Sequence, residues 1–363
     1  MSIFGIMKRF FLAFALLAGT ALLTGCFGNN NETTPKEYEV TTGAIVVSEG
    51  NPIKGYPGRL NYIDFGDNHV SDNAFIMEGE ELGDRPNDVL VYGGKIYVTG
   101  CDNHVVHVFG KASFRRIATI STTEEMGEEK GSHPRRLTPY KGKVYVSTHG
   151  GYVGVIDTLS LSIRDMYQVG THPEGMSVGL KDDVPLLYVA NSGGDFEDGS
   201  ISTVNLSTGT VSEFKNEKIS APLDLAVAGE ELYVLDKSGV YLVIGASVSS
   251  LIPDASGMYG VGYSLLTYQK PDSPDTKPSY TLFNLTYGTL TSFYLSGDNA
   301  CPIVNPTAIC IDSASGYVMI GAQEEGSEYG YVNLYTGSGG FVASYKTGYC
   351  PIRVAFIHEI VAM

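Results

Sequence analysis

The chain has 363 residues with 40 acidic and 24 basic side chains, a formal net charge of −16, 24 tyrosines and no tryptophan. That acidity excludes nucleic acid, and an anionic membrane surface, as partners held by bulk electrostatics. The length accommodates one large all-β domain or two ordinary ones.

The N-terminus opens with Lys8 and Arg9, followed by an apolar run from Phe10 to Leu23. The run is too short to span a bilayer and has the form of a signal-peptide core. It closes on Leu23-Thr24-Gly25-Cys26, which resembles a bacterial lipobox. The resemblance implies that residues 1–25 are a signal peptide and that Cys26 becomes the lipid-bearing first residue. Removing residues 1–25 takes away two cations and no acid, which makes the net charge −18. Residues 26–42, with Asn29-Asn30-Asn31-Glu32-Thr33-Thr34-Pro35, carry no apolar period and are expected to be a flexible tether. The folded part is expected over residues 43–358.

From there a repeat dominates. An apolar–Tyr–Val strand recurs as Ile96-Tyr97-Val98, Val144-Tyr145-Val146, Leu187-Tyr188-Val189 and Leu232-Tyr233-Val234, with weaker relatives at Ile45–Val47 and Tyr317–Met319. A proline leading into an apolar strand recurs at Pro86, Pro134, Pro173, Pro222, Pro306 and Pro351, at intervals of 48, 39, 49, 84 and 45. Both markers skip one unit, between Gly257 and Gly297. Between markers the pattern gives four short strands with Gly, Pro, Asp and Asn turns, which is a propeller blade. Gly43 to Ile357 is 315 residues, and a period of 45 predicts seven blades. The N-terminal portion supplies strands near Ile45–Ser48, Leu60–Phe65 and Ala74–Glu78 but no innermost strand, and Arg353–Ile357 at the other end supplies the missing one. The expected fold is therefore an all-β, seven-bladed β-propeller whose closing blade is shared by the two ends of the chain. No amphipathic helix is expected.

In such a ring the turns before each innermost strand, and those between second and third strands, share one face. Four of the eight arginines after Arg9 (Arg85, Arg135, Arg136 and Arg353) fall in lead-in tetrapeptides that make up 24 of the 338 residues after position 25. His133 and His172 directly precede lead-in prolines, and His149 lies in a turn of the same face. These residues either meet a phosphate or carboxylate of a ligand or pair with local acids such as Asp88, Glu174 and Asp224. Asn87, Glu174, Asn191, Phe196, Tyr259, Asn305 and Tyr329 share the expected face and complete the candidate ligand-binding set. Long loops at Glu49–Gly58, Asn191–Ser200, Gln269–Tyr280 and Ala322–Tyr331 form an expected rim.

No metal site and no cofactor is expected. Asp195, Glu197 and Asp198 lack the spacing of a calcium loop, and His104 and His107, three apart on one strand, would face opposite ways. Without a nucleophile elbow or P-loop, the chain reads as a binding protein and not an enzyme. Of the cysteines beyond Cys26, Cys301 and Cys350 are the expected disulfide pair.

The strands Ile96–Gly100 and Leu187–Asn191 resemble those of YVTN-type seven-bladed propellers. Lipobox, tether and a lone propeller together resemble the BtuG-type surface cobalamin-binding lipoproteins of Bacteroidetes. The resemblance implies a surface-exposed outer-membrane lipoprotein that touches the membrane only through its lipid. It also implies corrinoid binding on one propeller face and docking onto a TonB-dependent transporter. A propeller that binds protein or glycan, and a metal-assisted hydrolase or lactonase, are the alternatives.

Overall fold

The computed structural model describes residues 37–362, apart from 73, 76, 78–81, 84, 229–230 and 274–275. Cys26, the expected signal segment and most of the expected tether lie outside the described residues. Seven antiparallel four-stranded sheets make up the fold. Their inner strands are Pro351–Ala362, Pro86–Tyr92, Pro134–Tyr140, Pro173–Lys181, Pro222–Ala228, Gly257–Val261 and Pro306–Ile311. Each packs on the next and the last on the first. The chain is thus a seven-bladed β-propeller, with blades numbered 1 to 7 in that order. Among the described residues, no helix is long and apolar enough to cross a membrane.

The apolar–Tyr–Val triplet follows from burying both faces of a sheet. Successive side chains on a strand point to opposite faces. In blade 2, Ile96 and Val98 pack with Ile45 and Val47 of blade 1, while Tyr97 packs with Leu137 and Val144 of blade 3. One blade on, Val144 and Val146 face backward and Tyr145 faces Met176 and Leu187 of blade 4. Each blade–blade interface has one such apolar cluster. The tyrosine fills the wedge that opens between diverging sheets, which is why a bulky ring recurs at that position.

Blade 1 closes the ring. Its inner strand pairs with Glu37–Ser48 from Ser48↔Pro351 to Glu37↔Ala362. Residues 37–41, which the composition assigns to the tether, are therefore paired with residues 358–362. Asp312, in the blade 7 hairpin, accepts hydrogen bonds from Thr41 of the N-terminal strand, from Ser315 and, at 2.6 Å, from His358 Nε2 of the C-terminal strand. One carboxylate thus fastens both ends of the chain to blade 7.

Four expectations are corrected. The outer strand of blade 1 is His69–Ser71 and not Ala74–Glu78, because Asp64 Oδ1 accepts the amides of Gly66 and Asp67 and turns the chain at once; residues 76 and 78 lie outside the described residues. A single helical turn, Thr122–Met126, interrupts the connection from blade 2 to blade 3, capped by the Ser121 hydroxyl. Cys301 and Cys350 are both free. The Cys301 carbonyl is held by Asn333 on the third strand of blade 7, whereas the Cys350 amide is held by Gln323 at the axial end. Finally, the unit lacking a proline is a regular blade. Gly257 stands at its lead-in position, and a Cβ there would lie 2.1 Å from the Tyr268 ring.

The Tyr97 side chain is 0% exposed and its hydroxyl has no hydrogen-bond partner among the described residues; burial pushes its pKa up to about 12. An orphaned buried hydroxyl costs stability, whereas the ring provides it. Tyr97→Phe is expected to leave stability unchanged or raise it by up to about 1 kcal/mol. Tyr97→Ala should cost about 3–5 kcal/mol. Urea unfolding midpoints of the two variants check this, and a clear loss in Tyr97→Phe contradicts it.

Candidate functional site

The candidate residues are presented by one recurring turn. Cys350, Arg85, His133 and His172, each directly before a lead-in proline in blades 1 to 4, have φ of 56°, 49°, 50° and 51°. Their carbonyls accept the amides of Glu49, Cys101, His149 and Ser192, each at the end of the second strand of the same blade. Four non-glycine residues in the left-handed region mark stored local strain. The geometry explains the sequence pattern: the turn carries the residue before the proline out onto the face, and the two after it inward toward the axis. The inner strands bulge just beyond the proline in blades 1 to 5 and in blade 7.

At the axis the inward residues form a charged network. Arg353 donates to Asp224 Oδ2 at 3.0 Å and lies 3.6 Å from Asp88 Oδ1. Asp88 also accepts the amides of Val89 at 3.0 Å and Leu137 at 2.8 Å, so it joins blades 2 and 3 while facing the arginine of blade 1. Arg135 Nε donates to Glu174 Oε2 at 2.9 Å. Arg85 is paired with Asp102 on the outer side, at 2.7 Å from Nε. Arg136 donates to the Asn87 carbonyl at 2.9 Å and, alone of the four lead-in arginines, has no ion pair among the described residues. Of the two outcomes open to these arginines, pairing with Asp88, Glu174 and Asp224 is therefore what Arg135 and Arg353 do. The mouth is charge-balanced, not cationic.

The network divides the axial channel. Asp224, Arg136 and Arg353 line both a mouth cavity of about 270 Å³ and a second cavity of about 350 Å³ on the other side. The mouth cavity is also lined by Glu49, Asn87, Arg135, Glu174 and Phe196. Burial lifts the Asp88 carboxyl above the usual range, with Arg353 opposing the shift. Burial, then repulsion from Arg353, pulls Arg136 down to about 10. Glu174 goes the other way. Burial raises its pKa, but the hydrogen bond from His149 and the charge of Arg135 overcome that and hold it at about 2.

Beside the mouth runs a row of four imidazoles. Ring centroids are 4.7 Å apart for His104 and His133, 6.3 Å for His133 and His149, and 4.8 Å for His149 and His172. His104 Nδ1 accepts the backbone N–H of His133 at 3.0 Å. His172 Nδ1 donates to the Gly193 carbonyl at 2.9 Å, and His149 Nε2 donates to Glu174 Oε1 at 2.9 Å. Burial and the neighbouring imidazoles lower the pKa of His133.

The structure thus brings together Arg85, Asn87, His133, Arg135, Arg136, His149, His172, Glu174, Phe196 and Arg353. The other four stand outside this group, Asn305 and Tyr329 still on the same face in the turns of blade 7. Asn191 is fully buried and bonded to Ser200 and Ser202. Tyr259, in the inner strand of blade 6, lines the second cavity and packs against the cluster that holds Cys310. Tyr329 lies under Lys346, 3.5 Å from Nζ to the ring centroid. Asn305 is exposed, and its carbonyl accepts the Gln323 amide. Sequence reasoning missed His104, which lies in a turn with φ of 56°, not on a strand with His107. The available signal was its turn: His104 lies between the second and third strands of blade 2, three residues beyond Cys101, the position that His149 holds in blade 3. Among the described residues, no group of three or more His, Cys, Asp and Glu side chains is arranged to hold a metal ion.

No protein-family model and no curated protein matches the chain. Solved structures do. A provisionally named 6-phosphogluconolactonase from Bacteroides uniformis superposes with a TM-score of 0.61 at 13% identity, over 88% of this chain and 100% of that one. Its counterpart from Bacteroides fragilis gives 0.58 at 13%, over 87% and 98%. Hydrazine synthase of Kuenenia stuttgartiensis gives 0.57 at 14%, over 77% and 95%. At such identities the likeness establishes the fold. It also corrects the expectation that the chain is not an enzyme, because all three of these neighbours bear an enzyme's name. That expectation rested on missing local motifs, and in a propeller the groups that meet come from separate blades and leave no local signature.

Two consequences are testable. Arg353→Ala leaves Asp88 and Asp224 facing each other without their cation, and should cost about 3–5 kcal/mol in denaturant unfolding; an unchanged midpoint would show that the pairs are not structural. For Glu174, the native pKa of about 2 lies below the ordinary 4.5. Its contribution is therefore complete above pH 4.5 and is lost as pH falls toward 2, at most about 3 kcal/mol. Glu174→Gln should flatten stability between those pH values, as followed by urea unfolding at pH 3 and 6.

Proposed function

We propose that the chain is a cell-surface lipoprotein of the outer membrane, anchored through Cys26. Its mouth face captures a small ligand, a corrinoid foremost, and passes it to a TonB-dependent transporter. The observation that carries this reading is the row His104–His133–His149–His172 beside a mouth lined by paired guanidinium and carboxylate groups. Imidazole rings offer flat surfaces with one polar edge, and they suit a broad ring whose periphery carries amides. A charge-balanced mouth favours a ligand of low net charge over a polyanion, since any strongly charged group would have to displace an existing partner. A corrinoid, amide-rich with a single phosphate, meets both conditions. The mouth cavity of about 270 Å³ is below the usual range for a whole ligand, so the ring lies across the mouth and one arm enters it.

One contact favours a second reading, lactone hydrolysis. His149 is bonded to the ionised Glu174, which also holds Arg135. A carboxylate-oriented imidazole beside a guanidinium can take a proton from water as its oxygen attacks a lactone carbonyl. It then returns that proton to the ring oxygen as the acyl C–O bond breaks.

Calorimetry separates the two. Cyanocobalamin is expected to bind with nanomolar affinity or tighter, and His133→Ala, whose ring has no hydrogen-bond partner among the described residues, should weaken binding about tenfold with an unchanged melting temperature. No heat at micromolar concentrations rejects corrinoid capture. Turnover of a sugar-phosphate δ-lactone that His149→Ala abolishes would establish the second reading instead.

A further inference from the structure

The face opposite the mouth has a different chemistry. Of the 17 large apolar side chains exposed among the described residues, 12 lie in the turns of that face, within two strand residues of them, or in the terminal ribbon of residues 37–42 and 357–362. Successive blades each offer one to three, among them Leu159 at 91% exposure in blade 3, Leu180 at 55% in blade 4, Ile244 at 51% in blade 5, Tyr263 at 74% and Tyr287 at 78% in blade 6. Ile360, in the ribbon, is 63% exposed. Single exposed apolar residues are ordinary. Twelve on one face, against Ile53, Phe196, Tyr294 and Val304 on the mouth side, are not. Exposed lysines stand between them, at Lys141, Lys143 and Lys181, and long basic side chains lay their stems along apolar surface while the ammonium stays in water. Asp182, Asp183 and Glu359 on the same face keep it from being cationic.

The chain also leaves the fold on this side. Glu37 pairs with Ala362 at the far tip of the ribbon. Eleven positions separate Cys26 from Glu37 (37 minus 26), a reach of at most about 40 Å even fully extended.

We propose that this far face is a bilayer-contact surface: its apolar turn tips seat in the interface of a zwitterionic membrane, and the mouth face is thereby held toward the medium. The occupant is fixed by the exit point and the short reach to the anchor, so the proposal rests on lipidation of Cys26 as stated under the proposed function. Tyrosine and leucine tips with interspersed lysine match the interfacial zone of a bilayer, where an apolar body and a polar end are both accommodated. The acids on the face, and the overall negative charge, exclude an anionic surface by repulsion.

The absence of tryptophan gives a clean optical background. The full-length chain, carrying Leu159→Trp, Tyr263→Trp or Ile53→Trp, is isolated from membranes and reconstituted into phosphatidylcholine–phosphatidylethanolamine vesicles with brominated acyl chains. Leu159→Trp and Tyr263→Trp are expected to lose most of their fluorescence. Ile53→Trp, on the mouth face, should lose none. Unquenched tryptophans at both far-face positions in vesicle-bound protein overturn the proposal, as does quenching at position 53. Labelling with an alkynyl fatty acid, compared with Cys26→Ser, reports the anchor separately. Should the label fail, the anchor reading falls, and quenching of the unlipidated variants by the same vesicles still decides the face: quenched tips sustain it, and unquenched tips overturn it.

Discussion

Ring closure is the constraint on which this structure depends. A propeller blade is apolar on both faces, so no sheet in the ring is stable with one side exposed, and the first and last sheets must meet. Here they meet inside a single blade, where the strand Glu37–Ser48 runs beside Pro351–Ala362. Asp312 makes the joint specific. Its carboxylate is 1% exposed and takes hydrogen bonds from residues 271 positions upstream and 46 downstream. Loss of that joint would expose two apolar faces and separate the turns that build the mouth. The site therefore has no local existence; it is a property of the closed ring.

The same both-sided burial explains where the functional side chains are concentrated. A hydroxyl on the second strand links neighbouring blades: Thr99 accepts the Asp88 amide and donates to the Arg135 carbonyl. Ser147 repeats this between the Arg136 amide and the Glu174 carbonyl. Each hydroxyl thus locks the lead-in of its own blade to that of the next, and those lead-ins carry Arg135, Arg136 and Glu174. Ala190 and Leu235 hold the corresponding positions in blades 4 and 5. The relay ends there, and so does the run of strained turns bearing arginine and histidine. The strained turns are consequently a feature of blades 1 to 4, and Asp224 of blade 5 completes the polar network of the mouth.

Much of this was legible in the sequence because it is periodic. The tyrosine of the apolar–Tyr–Val triplet signals a wedge between sheets, and the lead-in proline signals a strand edge at the axis; both are read from spacing. The mouth residues were legible in part for the same reason, since Arg85, His133, Arg135, Arg136, His172, Glu174 and Arg353 all sit at fixed offsets from a proline. What the spacing did not carry was partnership. Arg353 of blade 1 meets Asp224 of blade 5 across the axis at 3.0 Å, and no sequence offset encodes a contact through the centre of a ring. Tyr259 was misplaced because its blade lacks the proline that fixes register. His104 was misplaced because a turn residue after a regular strand looks like one more strand residue.

The sequence by itself determined the number of blades, the shared closing sheet and the face on which basic residues gather, because each follows from a repeat length and from alternation along a strand. Only the tertiary structure decided that three of the four lead-in arginines are neutralised by carboxylates, that four histidines form one row, and that the opposite face is studded with apolar tips. These depend on distances between different blades. Such distances are set by the curvature of the closed ring, a quantity that no stretch of the chain contains.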